Sequence, residues 1–128
     1  MNISIKRVYE APSKEDGVLL FVDRLWPRGI KKENLPMDSW VKEIAPSPEL
    51  RRWFGHDPSR FKEFEKKYVQ ELNESKHIWK PLMDEYVDKK ITLLHAAKDP
   101  QVNHAQCLKS YLQRLYRWWS YEASNPAK

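Results

Sequence analysis

The sequence has 128 residues, enough for one domain and few for two. Hydrophobic residues make up 41% and aromatic residues 12%, which argues against disorder and for a real hydrophobic core. The net charge of +5 favours acidic partners such as phosphates, nucleic acids or carboxylates. The single cysteine, Cys107, excludes an internal disulfide framework and a cysteine-based zinc site. Because we also find no signal-peptide core and no apolar run of membrane-spanning length, we expect a cytoplasmic protein with no membrane partner.

The first elements along the chain are predicted to be two strands. Polar and apolar residues alternate roughly over residues 3–9, which indicates a strand. Residues 18–22 form a continuous apolar run after the turn signal Asp16-Gly17, as is typical of a strand buried on both faces. Residues 25–36 hold prolines, a glycine and basic residues, and are predicted to be a loop.

The middle of the chain is predicted to be mainly helical. Residues 37–44 fit either a short helix or a strand. A short helix then runs from Ser47, the expected N-cap, to Gly55, the expected terminator. Two further helices, each with an apolar face, are predicted to open at Asp57 and to cover residues 75–87.

The last elements are predicted to be a strand and a long helix. Residues 91–97 form an apolar run that ends in charge, and residues 103–121 carry apolar side chains at helical spacing. Long helical crossovers between apolar strands predict an α/β fold, a small and mostly parallel sheet with helices packed on it. We expect a single domain over residues 1–122 and a flexible tail at 123–128. In such sheets, ligands bind beyond the carboxyl ends of the strands.

The segment that follows the second strand is the first candidate site. Its residues with binding or catalytic chemistry are Asp23, Arg24, Trp26, Arg28 and Lys31. Pro27 and Gly29 suit a type I turn that would hold Arg28 away from the core, and guanidinium groups grip phosphates and carboxylates at two points. Two interpretations are open. The segment is an anion site with Asp23 as acid or base and Trp26 as a stacking surface, or it is a structural staple in which Asp23 pairs with an arginine and Trp26 fills the core edge.

The connection after the last strand is the second candidate site. Lys98 and Asn103 are candidate anion contacts, because the amide groups at the start of a helix attract anions. His104 titrates near neutral pH and could move a proton. The alternative is that Asp99 and Asn103 only cap the helix and that His104 is a surface residue. The connection contains no glycine, so it is not a phosphate-binding P-loop.

Three further groups of residues have both a functional and a structural interpretation. Arg51 and His56 could face the same pocket, with His56 as acid or base. Cys107 is interpreted as a small buried residue, because reactive cysteines usually sit at a helix start. Trp118 and Trp119 are adjacent and cannot both face inward, so one of them is expected to cover another element, a partner subunit or a base.

Three blocks of this sequence, residues 22–29, 40–47 and 50–58, resemble the signature blocks of the YeaO-like proteins, the family called domain of unknown function 488. The resemblance continues through Lys98-Asp99 and Asn103-His104-Ala105. It implies a small α/β bacterial or archaeal cytoplasmic protein and brings no established reaction with it. More distant relatives carry Cys-His-Arg where this chain has Asn103-His104-Ala105. In those relatives the cysteine could act as a thiolate nucleophile. The resemblance therefore implies that this chain, with Asn103 at that position, lacks such a nucleophile.

Three functions fit these observations. The first is an anion-binding pocket at the strand ends that belongs to an enzyme acting on a phosphate-like or nucleotide-like substrate. The second is a nucleic-acid-binding module that uses basic loops and exposed aromatic side chains. The third is an interaction protein whose motif is purely structural. The sequence calls for no cofactor and no metal, and we expect one concave site formed by Arg24, Arg28, Lys98 and His104.

Overall fold

Four strands form one sheet, and all neighbouring strands are parallel. They are β1 (Ile3–Arg7), β2 (Val18–Phe21), β3 (Ser39–Trp40) and β4 (Ile91–His95), in the spatial order β1-β4-β2-β3. This computed structural model describes the backbone of residues 1–124 and the side chains of residues 1–117. The sheet confirms the predicted α/β fold, and it places the ends of β2 and β4 side by side.

Four helices follow the predicted pattern closely. They are α1 (Pro48–Phe54), α2 (Phe61–Glu74), α3 (Lys76–Tyr86) and α4 (His104–Ser124). The Ser47 hydroxyl caps α1 by accepting a hydrogen bond from the backbone N–H of Leu50, and Gly55 ends the helix in the left-handed conformation. A 3-10 turn over Pro58–Arg60 precedes α2, so Asp57 caps that turn instead of the α-helix itself.

The two faces of the sheet are covered in different ways. On one face, side chains from all four helices pack against alternate residues of the strands, such as Leu20 and Leu93, to form the larger hydrophobic cluster. On the other face, the intervening residues Phe21 and Leu94 pack with no α-helix side chain among those that the structure describes. They belong to a smaller cluster in which Leu35 and other side chains of the loop between β2 and β3 pack with Val8, which follows β1. The strand at residues 18–21 is thus enclosed on both faces, as its apolar run predicts.

Two local features show how the connections are fixed. The ambiguous residues 37–44 contain both the short strand β3 and a 3-10 turn, Lys42–Ile44. At the start of β2, Gly17 has a φ of 69°, and a Cβ atom there would collide with the carbonyl oxygen of Lys90. The glycine is therefore required by the close approach of the two connections as well as by the turn.

The last helix extends beyond the predicted domain boundary. Ala123 and Ser124 belong to α4, whereas residues 125–128 lie outside the described part of the chain. The side chains of Trp118 and Trp119, for which a covering role is expected, also lie outside it. In the residues that the structure describes, no helix is both long enough and apolar enough to cross a membrane.

Candidate anion-binding pocket

Two adjoining cavities lie beyond the carboxyl ends of β2 and β4, where a parallel sheet is expected to bind its ligand. Their volumes are about 400 and 210 Å³, and we call the two together the strand-end pocket. The polar side chains that line both cavities are Arg24, Arg51, His56 and His104. Four of the residues selected from the sequence therefore come together, from three separate segments of the chain.

A contact between Asp23 and His104 ties the end of β2 to the start of α4. Nε2 of His104 lies 3.1 Å from Oδ1 of Asp23 and 3.1 Å from the carbonyl oxygen of Val22. Both neighbours are acceptors, so Nε2 must carry a hydrogen atom. One hydrogen atom cannot point well at two acceptors. Oδ1 is accordingly a buried atom without a well-aligned hydrogen bond, although its distance from Nε2 is that of an ion pair.

The same contact decides the charge of Asp23. Burial alone would raise the pKa of this carboxyl group. The contact with His104 and the charge of its ring, together with the backbone N–H of Ala96 that donates to Oδ2 at 3.0 Å, outweigh burial and lower the pKa below its ordinary value. Asp23 is therefore a carboxylate at neutral pH.

A second histidine lies beneath this pair and was not among the residues selected from the sequence. His95, at the end of β4, is 2% exposed, and its Nδ1 accepts a hydrogen bond from the backbone N–H of Ala97 at 3.1 Å. Burial, and then the charge of His104, lowers the pKa of His95 to about 4, so the ring is neutral at physiological pH. The one sequence signal for it was a titratable residue inside an otherwise apolar run.

Arg24 contributes to the pocket in an unexpected way. In the staple interpretation of this segment Asp23 pairs with an arginine, but the guanidinium of Arg24 has other partners. Its Nη2 donates to the carbonyl oxygen of Ala45 at 3.2 Å and its Nε to that of Pro46 at 3.3 Å. The physical reason is that Asp23 is already engaged by His104 and by the backbone of Ala96. The guanidinium of Arg24 therefore fixes the chain that leads into α1.

The end of α1 supplies the other two basic residues. The guanidinium of Arg51 makes no hydrogen bond or ion pair with any residue that the structure describes. His56 directly follows Gly55, and both adopt left-handed backbone conformations, with φ values of 56° and 54°. For a residue other than glycine this conformation is uncommon and costs about 1 kcal/mol or more. It brings the imidazole to the pocket, 6.2 Å from the ring of Phe54.

Asn103 both caps α4 and lines the larger cavity. Its Oδ1 accepts from the backbone N–H of Gln106 at 3.0 Å, its Nδ2 donates to the carbonyl oxygen of Asp99 at 2.8 Å, and the residue is 2% exposed. Asp99 in turn accepts from the backbone N–H groups of Gln101 and Val102. Asn103 is therefore the cap of α4, whereas Asp99 closes the turn before the helix and does not cap it.

Three of the predicted anion contacts do not line the strand-end pocket. Arg28, Lys31 and Lys98 are exposed, and none of them lines either cavity. Of the four residues expected to converge on one concave site, Arg24 and His104 do so, whereas Arg28 and Lys98 do not.

The indole of Trp26 packs on the opposite face of the sheet, with its ring 5.9 Å from that of Phe21. Its Nε1 donates to the carbonyl oxygen of Ile30 at 2.6 Å, and this hydrogen bond joins two parts of the loop between β2 and β3. A stacking role in the pocket is therefore wrong for Trp26.

The other described tryptophans also have partners within the fold. Trp40 packs on Phe21 and Trp79 is buried. The ring of Trp53 has Arg60 and Lys67 placed over it. The exposed aromatic surface that a nucleic-acid-binding module needs is thus not supplied by the tryptophan side chains that the structure describes.

Neither a reactive thiol nor a metal centre accompanies the pocket in the described residues. Cys107 is buried, as predicted, and burial together with the nearby Glu65 raises the pKa of its thiol to about 12. Within residues 1–117, no three histidine, cysteine, aspartate or glutamate side chains are grouped so that they could hold a metal ion.

A small parallel α/β protein with a basic pocket at its strand ends is the class that these features define. The chain belongs to the family described as "Inactive DUF488-N3 subclade", whose model matches residues 2–127. The uncharacterised protein YeaO of Escherichia coli strain K12 is 44% identical over 115 residues, which cover 90% of this chain and all of that protein. The uncharacterised protein Rv3073c of Mycobacterium tuberculosis H37Rv is 45% identical over 73 residues, which cover 57% of this chain and 62% of that protein. No solved structure matches the chain.

Proposed function

We propose that this protein binds a small anionic ligand in the strand-end pocket and does not transform it chemically. The observation that carries the proposal is the charge of the larger cavity. Three arginines and two histidines line it, and no described aspartate or glutamate does: Arg24, Arg51, Arg52, His56 and His104. The adjoining cavity is also lined by Asp23, whose carboxylate contacts His104. Side chains of this kind hold phosphate and carboxylate groups by charge-assisted hydrogen bonds.

Binding without turnover is favoured because each candidate nucleophile near the pocket is already engaged. Asn103 stands where more distant relatives have a cysteine, and its amide is committed to capping α4. The Ser47 hydroxyl donates to Glu71 at 2.6 Å and accepts from the N–H of Leu50. Cys107 is buried, with the pKa of its thiol raised to about 12. The description of the family as inactive agrees with this proposal.

Calorimetric titration with inorganic phosphate tests the proposal, with two arginine variants as a matched pair. Arg51 and Arg28 are both exposed, but only Arg51 lines the pocket. We expect Arg51→Gln to weaken phosphate binding about tenfold or more, because a hydrogen bond to a charged group contributes roughly 1.5–3 kcal/mol. Arg28→Gln removes the same charge and should leave the affinity within a factor of about two, since surface changes outside a site have small effects.

Equal losses in the two variants would mean that phosphate responds to the net charge of the protein and not to this pocket. No measurable phosphate binding to the wild type, by calorimetry or by thermal melts in up to tens of millimolar phosphate, would likewise contradict the proposal.

Nucleic-acid binding is the second candidate function. It is favoured by the exposed basic side chains of Arg28, Lys31 and Lys98, which lie outside the pocket. Titration of single- and double-stranded DNA and RNA at two salt concentrations tests it, because each neutralised phosphate releases a counterion and makes the affinity fall with salt. Absence of binding at low salt would remove this candidate.

A further inference from the structure

Apolar side chains also line the larger cavity, beside its basic residues. The rings of Phe54 and Phe64 are stacked with centroids 4.4 Å apart, and both line the cavity together with Pro46, Pro48 and Val102. Inorganic phosphate or sulfate is hydrated over its whole surface and gains nothing from such walls. Phe54 and Phe64 are only 6% and 2% exposed, so the apolar surface that a ligand would remove from water is mainly that of Pro48, Val102 and Leu25. Burial of this surface is favourable in proportion to its area.

Leu25 extends this apolar surface to the mouth of the pocket. It is 61% exposed and lines both cavities. Among the described residues, the other large hydrophobic side chain with comparable exposure is Tyr9. The ring of Tyr9 lies under the guanidinium of Arg7, and its hydroxyl donates to the carbonyl oxygen of Arg28 at 3.0 Å. No comparable contact is seen for Leu25 among the described residues, and a ligand in the pocket would cover its side chain.

The volumes indicate how large the apolar part can be. An apolar cavity of about 150 Å³ is enough for a benzene ring. The larger cavity, at about 400 Å³, therefore holds a single or fused ring in addition to an anionic group. Its size also lies within the range of roughly 300–1,000 Å³ that is usual for sites of small organic ligands.

The position of the anionic group follows from the residues shared by the two cavities. Arg24, Arg51, His56 and His104 line both, so they surround the junction between them. Nε2 of His104 is occupied by Val22 and Asp23, whereas its Nδ1 has no hydrogen-bond partner among the described residues. Nδ1 is therefore the ring nitrogen of His104 that is left for the ligand, and it would donate a hydrogen bond to an anionic group when both ring nitrogens carry hydrogen.

Resting on the proposed anion site, we infer that the ligand is an organic phosphate or carboxylate with a ring-sized apolar body. Its anionic group lies at the junction of the two cavities, between Arg24, Arg51 and His104. Its apolar body lies in the larger cavity against Phe54 and Phe64, and its outer edge is covered by Leu25.

Calorimetry on the full chain with four probes tests the inference: inorganic phosphate, phenyl phosphate, phenylacetate and benzyl alcohol. We expect the better of the two aromatic anions to bind at least about tenfold more tightly than inorganic phosphate, which corresponds to about 1.4 kcal/mol. Which of the two binds better identifies the anionic group. Benzyl alcohol, which has the ring and no charge, should bind more weakly than either.

Leu25→Ser probes the apolar wall without touching the core, since Leu25 is exposed. We expect it to weaken binding of the preferred aromatic anion about threefold to tenfold and to leave inorganic phosphate unchanged. Tyr9→Ser is the matched control, because Tyr9 is also an exposed hydrophobic residue and lines neither cavity. It should change the affinity for neither probe.

The possible failures can be told apart. If inorganic phosphate binds as tightly as both aromatic anions, and Leu25→Ser affects none of them, the organic ligand is ruled out while the anion site stands. If benzyl alcohol binds as tightly as the aromatic anions, the inference is overturned and the basic residues do not select the ligand. If neither anion class binds to the folded wild type, the proposed function itself is overturned.

Discussion

The two faces of the sheet differ most where β2 ends. On the helical face, Asp23 and Arg24 turn towards the strand-end pocket, where they contact His104 and the chain leading into α1. On the opposite face, only two residues further on, Trp26 packs against Phe21 in the smaller hydrophobic cluster. One short segment, residues 23–26, therefore has two tasks. The same segment both builds a polar site and seals an apolar face.

The two faces are also built from different chemistry. The pocket side contains a buried neutral histidine, an ion pair and a residue in an uncommon backbone conformation: His95, Asp23 with His104, and His56. The loop side contains aromatic and aliphatic side chains and the backbone hydrogen bonds of its loop. Substitutions on the loop side should therefore change stability alone, whereas those on the pocket side should change pH dependence and ligand binding.

Trp26→Ala should have the largest effect on stability. The ring fills the smaller cluster between Phe21 and Trp40, and removal of such a ring costs about 3–5 kcal/mol through lost burial and the cavity left behind. Urea unfolding measures the loss. Trp26→Phe should cost less, because it keeps an aromatic ring in the cluster. The folded fraction of Trp26→Ala should still bind phosphate with nearly wild-type affinity, and a loss of binding as large as that of Arg51→Gln would show that the two faces are not independent.

The buried histidine of the pocket side should make the protein sensitive to acid. In the unfolded chain His95 binds a proton near its ordinary pKa of 6.5, whereas in the folded protein it does so only at about 4. The unfolded state therefore gains protons first, and stability falls as the pH is lowered from 6.5 to 4. With 1.36 kcal/mol for each pKa unit, the loss attributable to His95 between pH 7 and pH 4 is about 3 kcal/mol.

His95→Gln removes that titration, so the free energy of unfolding should fall less steeply between pH 7 and pH 4 than it does in the wild type. Urea unfolding at several pH values measures the slope. The matched control is His77→Gln, since His77 is exposed on α3, and its slope should equal that of the wild type. Identical slopes for His95→Gln and the wild type would show that His95 does not lose its proton affinity on folding.

The smallest effect on stability is expected at His56, where the pocket side retains an unfavourable backbone conformation. Glycine adopts a φ of 56° without a steric cost, so His56→Gly should leave the free energy of unfolding unchanged or raise it by up to about 1 kcal/mol. Because the imidazole lines both cavities, the same variant should bind phosphate more weakly. A variant that is destabilised and binds phosphate normally would mean that the ring serves packing and not the ligand.

Local features of the sequence were sufficient for most of the fold. Apolar runs placed β2 and β4 because a buried strand must be apolar along its length. The cap residues Ser47 and Gly55 marked the ends of α1 because capping depends on side chains within a few positions. The rule that ligands bind at the carboxyl ends of parallel strands also led to Arg24 and His104 before their positions were known.

What the sequence by itself determined was therefore the elements, the parallel sheet and the edge at which a site should form. The tertiary structure alone decided which polar groups meet there. Asp23 contacts His104 and the backbone of Ala96 instead of the neighbouring arginines, and Arg51 lines the pocket whereas Arg28 does not. The physical reason is the distance along the chain over which each kind of interaction acts. Strand and helix preferences act over a few residues, whereas hydrogen bonds and ion pairs form between whichever groups the packed helices and loops bring within about 3 Å of each other.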